Sequence, residues 1–249
     1  MENLSDERAQ LAPLQTFDPR AFVGDDNAPQ ELCNFILTLA LIYNDCKNGI
    51  FSNLLLTNLK PTGIPEPSQD WGTYGGMKVH LLRLHFALIH ELLRLVLNNE
   101  KTIKHPFFLS VIKLLPKRVK ESWTAIVAAS LEKQTTSSLN KALLMIRNKV
   151  SFHYDPKELY RGYRYHFFQN SKPTELAYVS RGSSMKYSRL YFADAAAEGY
   201  ILSQIEGKDA GELLNRLADI TGDVNQAIMQ IVDRFIQKRG YAYKDFKTS

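Results

Sequence analysis

Cysteine is scarce in this chain: Cys33 and Cys46 are the only two among 249 residues. They lie 13 positions apart inside apolar helical sequence and form no Cys-x-x-Cys pair. That excludes a disulfide framework or a thiolate zinc site as the expectation and leaves reduced core residues. Long apolar runs are also lacking. Uninterrupted stretches such as Leu39–Tyr43 fall far short of the roughly 20 residues that span a bilayer, so no membrane partner is expected. The first 30 residues carry no basic start and no apolar stretch of the secretory kind, and the expected location is cytoplasmic. Gly72, Gly75 and Gly76 follow no strand and precede no Gly-Lys-Ser/Thr, so they are not a phosphate loop. His80, His85 and His90 recur every five residues and therefore wind around a helix. Position 94, where a His90-Glu91 zinc-protease motif needs histidine, holds Arg94. No metal and no cofactor are expected.

What is present is helix. Apolar residues make up 45% of the chain, enough for a sizeable core. From Pro29 to about Leu59, Leu32, Phe35, Ile36, Leu39, Ile42 and Tyr43 recur at three- and four-residue steps, the signature of a buried helix face. Pro61–Gly76 reads as a loop because proline and glycine interrupt it. Met77–Asn98 is apolar over most of its circumference and is expected at the centre of a bundle. Pro106 and Pro116 bracket a short apolar segment, and Pro116 opens a helix to about Leu131. Thr135-Thr136-Ser137-Ser138 is a polar joint before a helix over Leu139–Phe152. Asp155-Pro156-Lys157-Glu158 combines a capping acid, a proline at the first helical position and a glutamate three residues after the cap, so it starts a helix over Pro156–Gln169.

Residues 175–193 suggest a small β-hairpin around Arg181-Gly182-Ser183-Ser184. Ala193–Glu206 is helical. Ala210–Arg239 carries an apolar stripe from Leu213 to Phe235 that packs on the bundle or on a second copy of the chain. The expected class is an all-α multi-helix bundle, organised as a flexible arm over 1–28, a helical bundle over 29–172, and a hairpin plus long C-terminal helix over 173–249.

The formal net charge is only +5, but it is unevenly placed. Residues 101–120 hold six Lys/Arg and no acid, and residues 141–172 hold seven against Asp155 and Glu158. Clustered positive charge attracts phosphate backbones, although such a run also serves as a plain solvated face. Within the second cluster, Arg147 stands six residues before His153, where the helical pattern runs out. A guanidinium grips phosphate with a planar fork of donors, and imidazole exchanges a proton near neutral pH. At about 100° per residue, that spacing puts the two side chains roughly 120° apart on a regular helix. They share a site only if the helix unwinds near Ser151–Tyr154. The structural alternatives are a salt bridge for Arg147 near a helix C-terminus and a capping role for His153.

Arg147, Asn148 and His153, with five residues between arginine and histidine, resemble the signature of the HEPN superfamily. The wording from Ile146 to Asp155 is similar to its abortive-infection branch, and the resemblance spans residues 30–170. It implies an up-down helical bundle, commonly a homodimer with two motifs meeting at the interface. It further implies a metal-independent endoribonuclease of phage defence, toxin–antitoxin pairs or RNA processing, or an inactive relative that binds RNA, a nucleotide or a protein partner such as an antitoxin. In the chemistry so implied, the ribose 2′-OH attacks the adjacent phosphate. His153 moves the proton, Arg147 stabilises the added charge and Asn148 positions groups. The resemblance also makes Tyr154 a candidate helper at the substrate, although it follows the histidine directly where some family toxins carry a tyrosine two residues after it.

Lys157, Arg161 and Arg164 fall at i, i+4 and i+7, forming one basic stripe. Tyr160, Tyr163, Tyr165, His166, Phe167 and Phe168 interleave with it, a combination suited to single-stranded RNA. Phe167 and Phe168 read better as core. Glu100 and Lys104 read as an ordinary helix-surface pair. A helical scaffold that dimerises through Ala210–Arg239 is the reading from outside the nuclease class.

Overall fold

A computed structural model describes residues 14–132, 138–169, 176–184, 188–205 and 210–245. Nine helices dominate these residues: α1 (Gln30–Asn58), α2 (Gln69–Asn98), α3 (Glu100–Ile103), α4 (Pro106–Lys113), α5 (Lys117–Leu131), α6 (Ser138–Ile146), α7 (Pro156–Arg164), α8 (Tyr191–Ile205) and α9 (Ala210–Lys238). The all-α multi-helix bundle expected from the apolar periodicity is what the chain forms. The sole sheet among the described residues pairs β1 (Gln15–Thr16) antiparallel with β2 (Lys244–Asp245). No helix of the described residues is long and apolar enough to cross a membrane.

The core follows the apolar stripes. Phe86, Ile89, Leu92 and Val96 of α2 are fully buried, as are Ile36 and Leu39 of α1, Ile126 of α5, Leu143 and Ile146 of α6 and Phe235 of α9. α2 packs against α1, α5, α6 and α8 and is the central helix. Cys33 and Cys46 are free and buried. The apolar stripe of α9 is consumed inside the chain, since Leu217, Ile220, Val224, Ile228, Ile231 and Phe235 are buried where α9 meets α1, α4 and α5. Among the described residues, then, that stripe faces the bundle of its own chain.

Three expectations change. α2 begins at Gln69, inside the stretch read as a loop. Ser68 caps it by accepting the Trp71 N–H, and Gly72 and Gly76 are helical. Both glycines lie under side chains of another segment: a Cβ on Gly72 would meet the Tyr191 ring at 2.6 Å, and one on Gly76 would meet Arg189 and Asp194. Glycine marks close packing here, not a break.

The second change concerns the arm. Residues 14–28 are fastened rather than loose, for Arg239 donates to Ala21 O at 2.8 Å, Val23 O at 2.7 Å and Asp25 Oδ2 at 2.6 Å. Such polar anchoring leaves no periodic pattern; residues 1–13 lie outside the described residues. Third, the hairpin over 175–193 reduces, among the described residues, to one antiparallel bridge between Ser180 and Arg189. The joint at Thr135-Thr136-Ser137 also lies outside them, and so does the side chain of Leu213.

One core contact sets a pH dependence. His85 meets Thr221 Oγ1 through Nε2 at 2.8 Å, while Thr221 gives its own proton to Leu217 O. Nε2 is thus the donor. Burial holds its pKa below the ordinary 6.5, and burial lowers His80 and His90 as well. The unfolded chain takes up protons that the folded state refuses. Stability is therefore complete above the ordinary value and declines as pH falls below it toward the folded-state pKa. Thermal melts from about pH 7.5 to about pH 5.5 should show that decline, and His85→Gln should make it shallower. Parallel curves for both proteins would contradict the assignment.

Candidate functional site

α6 runs regularly to Ile146 and then widens into a π turn over Arg147–Ser151, closed by Phe152 N–H donating to Arg147 O at 3.2 Å. Its cause is visible on both sides. Ile146 and Val150 stay buried, and Ser151 Oγ donates to Arg83 O at 3.0 Å, tying the turn to α2. Pro156 cannot continue the helix. Asp155 instead caps α7 by accepting the Lys157 and Glu158 N–H groups, and its other oxygen takes Lys149 Nζ at 2.7 Å. That lysine holds the Asp155 carboxyl below the usual carboxylate range. The clamp closes a short loop with His153 and Tyr154 at its exposed tip. A widened turn of this kind re-aims the residues it contains and often accompanies a functional site.

Arg147 is engaged but not exhausted. Its Nε donates to Glu91 Oε1 at 2.9 Å and its Nη1 to Asn148 Oδ1 at 2.8 Å, and the guanidinium stands 5.7 Å from the centre of the Phe152 ring. Of the five N–H groups of a guanidinium, three have no partner among the described residues. The salt-bridge reading of Arg147 is thus partly right, though its partner comes from α2. His153 makes no hydrogen bond or ion pair with any described residue, so the capping role is not seen.

The two side chains border different recesses. Arg147 lines one of about 300 Å³ with His90, Leu93, Arg94 and Asn140. His153 lines a more open one of about 620 Å³ with Tyr154, Lys149, Asp155 and Lys157. Asn148 borders both. The motif is therefore gathered into two adjoining hollows with the asparagine as partition.

Sequence reasoning met Glu91, His90 and Arg94 only in setting aside a zinc motif and missed their place beside Arg147. The signal was there for Glu91: beyond its first turn α2 holds no other acid, and that acid sits near the cations Arg83 and Arg94 on an apolar helix. Such a carboxylate needs a basic partner, but nothing local says that the partner is 56 residues away.

Beyond His153 the basic stripe lies on open surface. Lys157, Arg161 and Arg164 are all exposed. Arg161 is 3.7 Å from Glu158, while Lys157 and Arg164 have no ion pair among the described residues. Tyr154, Tyr160 and Phe168 are 69%, 63% and 71% exposed. Phe168, expected in the core, therefore faces out, whereas Tyr165 is buried. Phe167 is half-buried, its ring 4.7 Å from that of Tyr163. α7 is held in place by a crossing without side chains: Gly162 lies on Ala196 O and Tyr200 N of α8, and Gly199 lies on Gly162 O.

The other basic run, over residues 101–120, is largely solvated, with Lys104 on Glu100 at 2.5 Å and Lys117 on Glu121 at 3.8 Å. No group of three or more His, Cys, Asp or Glu among the described residues is placed to hold a metal ion.

Fold and site together define an all-α bundle with an arginine–asparagine–histidine motif at a π turn beside a cationic, aromatic surface. Comparison with protein-family models, with curated proteins and with solved structures finds no match to this chain.

Proposed function

We propose that this protein is a metal-independent endoribonuclease of the HEPN type that cuts single-stranded RNA. One observation carries the reading. At the π turn a guanidinium with free N–H groups and an unengaged imidazole stand on either side of Asn148, and exposed cations and rings lead away from that imidazole along α7.

In the proposed reaction His153 takes the proton of a ribose 2′-OH, and O2′ attacks the adjacent phosphorus. The P–O5′ bond breaks, leaving a 2′,3′-cyclic phosphate, and the departing O5′ is protonated by an imidazolium. Each chain offers one such histidine, so the acid is His153 of a second copy in a two-fold dimer. The free N–H groups of Arg147 hold the non-bridging oxygens as negative charge builds on them. A role as a defence or toxin effector, restrained by an antitoxin or another protein partner in the cytoplasm, belongs to the same proposal.

The test is incubation of purified protein with RNA in EDTA. Cleavage that persists with chelator, spares DNA and disappears in His153→Ala supports the proposal. RNA retention without cutting would instead favour an inactive binding module, a reading that the Glu91–Arg147 pair also accommodates. Binding itself tests the stripe. Arg164→Glu should weaken RNA affinity and reduce its salt dependence by about one contact. Arg161→Glu should do less, because Glu158 already offsets that charge in part. Unchanged affinity and slope in Arg164→Glu would remove α7 from the RNA path.

A further inference from the structure

A third hollow, of about 720 Å³, shares no lining residue with the two at the π turn and lies between the start of α2, residues 178–181 and the start of α8. Its walls include the rings of Trp71, Tyr178 and Tyr191 together with Arg181 and Glu66. Two of the rings are fixed before any ligand arrives. Trp71 Nε1 donates to Ile64 O at 2.9 Å, and Tyr191 OH donates to Gln69 O at 3.2 Å. The Tyr191 ring lies directly on the α2 backbone because position 72 has no side chain. The strip bearing Tyr178 and Arg181 is held by the Ser180–Arg189 bridge and by Phe192 N–H on Tyr178 O at 3.3 Å.

The charges select the ligand. Arg181 is exposed and has no ion pair among the described residues, and Lys60 places its ammonium 5.9 Å from the Trp71 ring centre. An arginine in an aromatic wall, with a lysine beside one of its rings, disfavours a cationic guest and favours a flat molecule bearing an anion. Glu66 is the one acid in the wall; it is exposed at the rim, where its carboxylate can accept from N–H donors of a guest. A nucleotide meets all three demands: a π-face for the rings, a phosphate for Arg181 and base N–H groups for Glu66. Guanine suits a carboxylate best, because its adjacent ring N–H and exocyclic amine match the two oxygens. We propose that this hollow is a nucleotide-binding site with a preference for guanine. The site stands whether or not Arg147 and His153 cleave RNA.

The chain has two tryptophans, and Trp123 is buried in the core, so Trp71 reports on this hollow. Titration with GMP should quench tryptophan fluorescence saturably, with UMP at least about tenfold weaker, the scale of one lost base contact. Arg181→Glu and Tyr178→Ala, both at exposed positions, should each weaken GMP by a similar factor, with circular dichroism confirming the fold. Trp71→Phe should abolish the signal. No saturable response at millimolar GMP, an equal response to UMP, or quenching that survives in Trp71→Phe or Arg181→Glu would overturn the assignment. A single-stranded RNA ending in guanosine separates the two sources of the ligand. If Arg181→Glu weakens that RNA as well as GMP, the hollow holds a base of the bound strand; if GMP alone suffers, it holds a free nucleotide.

Discussion

Arg147→Ala should lower RNA cleavage on the order of 10²–10⁴-fold, and Arg147→Lys should recover little of that. The reason lies in what the guanidinium does at once. It spans Glu91 on α2 and Asn148 beside it, at 2.9 and 2.8 Å, and keeps N–H groups without a partner among the described residues, which the proposed mechanism assigns to the phosphate. Lysine has a point charge on a flexible stem and cannot reach three partners in one plane. Glu91→Gln keeps an acceptor for Nε but removes the charge that orients the fork, so its loss should fall between wild type and Arg147→Lys and lie in the chemical step. Folding should change little, since the side chains of Arg147 and Glu91 are 22% and 35% exposed and the pair is partly screened. Single-turnover rates at saturating protein, alongside thermal melts, separate the two effects. Near wild-type cleavage in Arg147→Ala would end the endoribonuclease mechanism at this turn.

The largest effect on stability is expected at Gly162. A Cβ there would stand 2.1 Å from Ala196 O and 2.6 Å from Tyr200 N, and both are backbone atoms of α8 that cannot swing aside. Gly162→Val must push α7 off α8, which strains the packing of the fully buried Tyr200 and of Ile201. Overpacking a tight contact costs about 1–3 kcal/mol and more where backbone must move. At about 2–4 °C per kcal/mol for a chain of this size, a melting point lower by roughly 5–10 °C follows. RNA affinity should fall with it, because α7 carries Lys157, Arg161 and Arg164. Gly199→Ala, whose Cβ would lie 2.2 Å from Gly162 O, should act in the same direction. A Gly162→Val protein that melts with the wild type would mean that the two helices are not in backbone contact.

Where a feature depends on neighbours in the chain, it could be read before any fold was known. The apolar steps of Leu32, Phe35, Ile36 and Leu39 announce α1, and Asp155-Pro156 announces the start of α7, because periodic burial and end-capping are local. The candidate motif was legible for the same reason: Arg147, Asn148 and His153 fall within seven residues. The errors arose where a residue serves something distant. Gly72 and Gly76 look like helix breakers until Tyr191 and Arg189 are seen lying on them. Residues 14–28 look loose until Arg239 is seen holding them. Phe168 looks like core until the π turn over Tyr165–Gln169, which follows α7, is seen turning it outward.

By itself, then, the amino-acid sequence determined that this protein is a helical bundle and singled out the short segment that holds its candidate site. Tertiary structure alone decided that Glu91 grips Arg147, that Asn148 parts two hollows, and that Trp71, Tyr178 and Tyr191 converge on a third. Each of those depends on contacts between residues far apart in the chain, and the free energy that places them comes from burial of the whole core rather than from any local pattern.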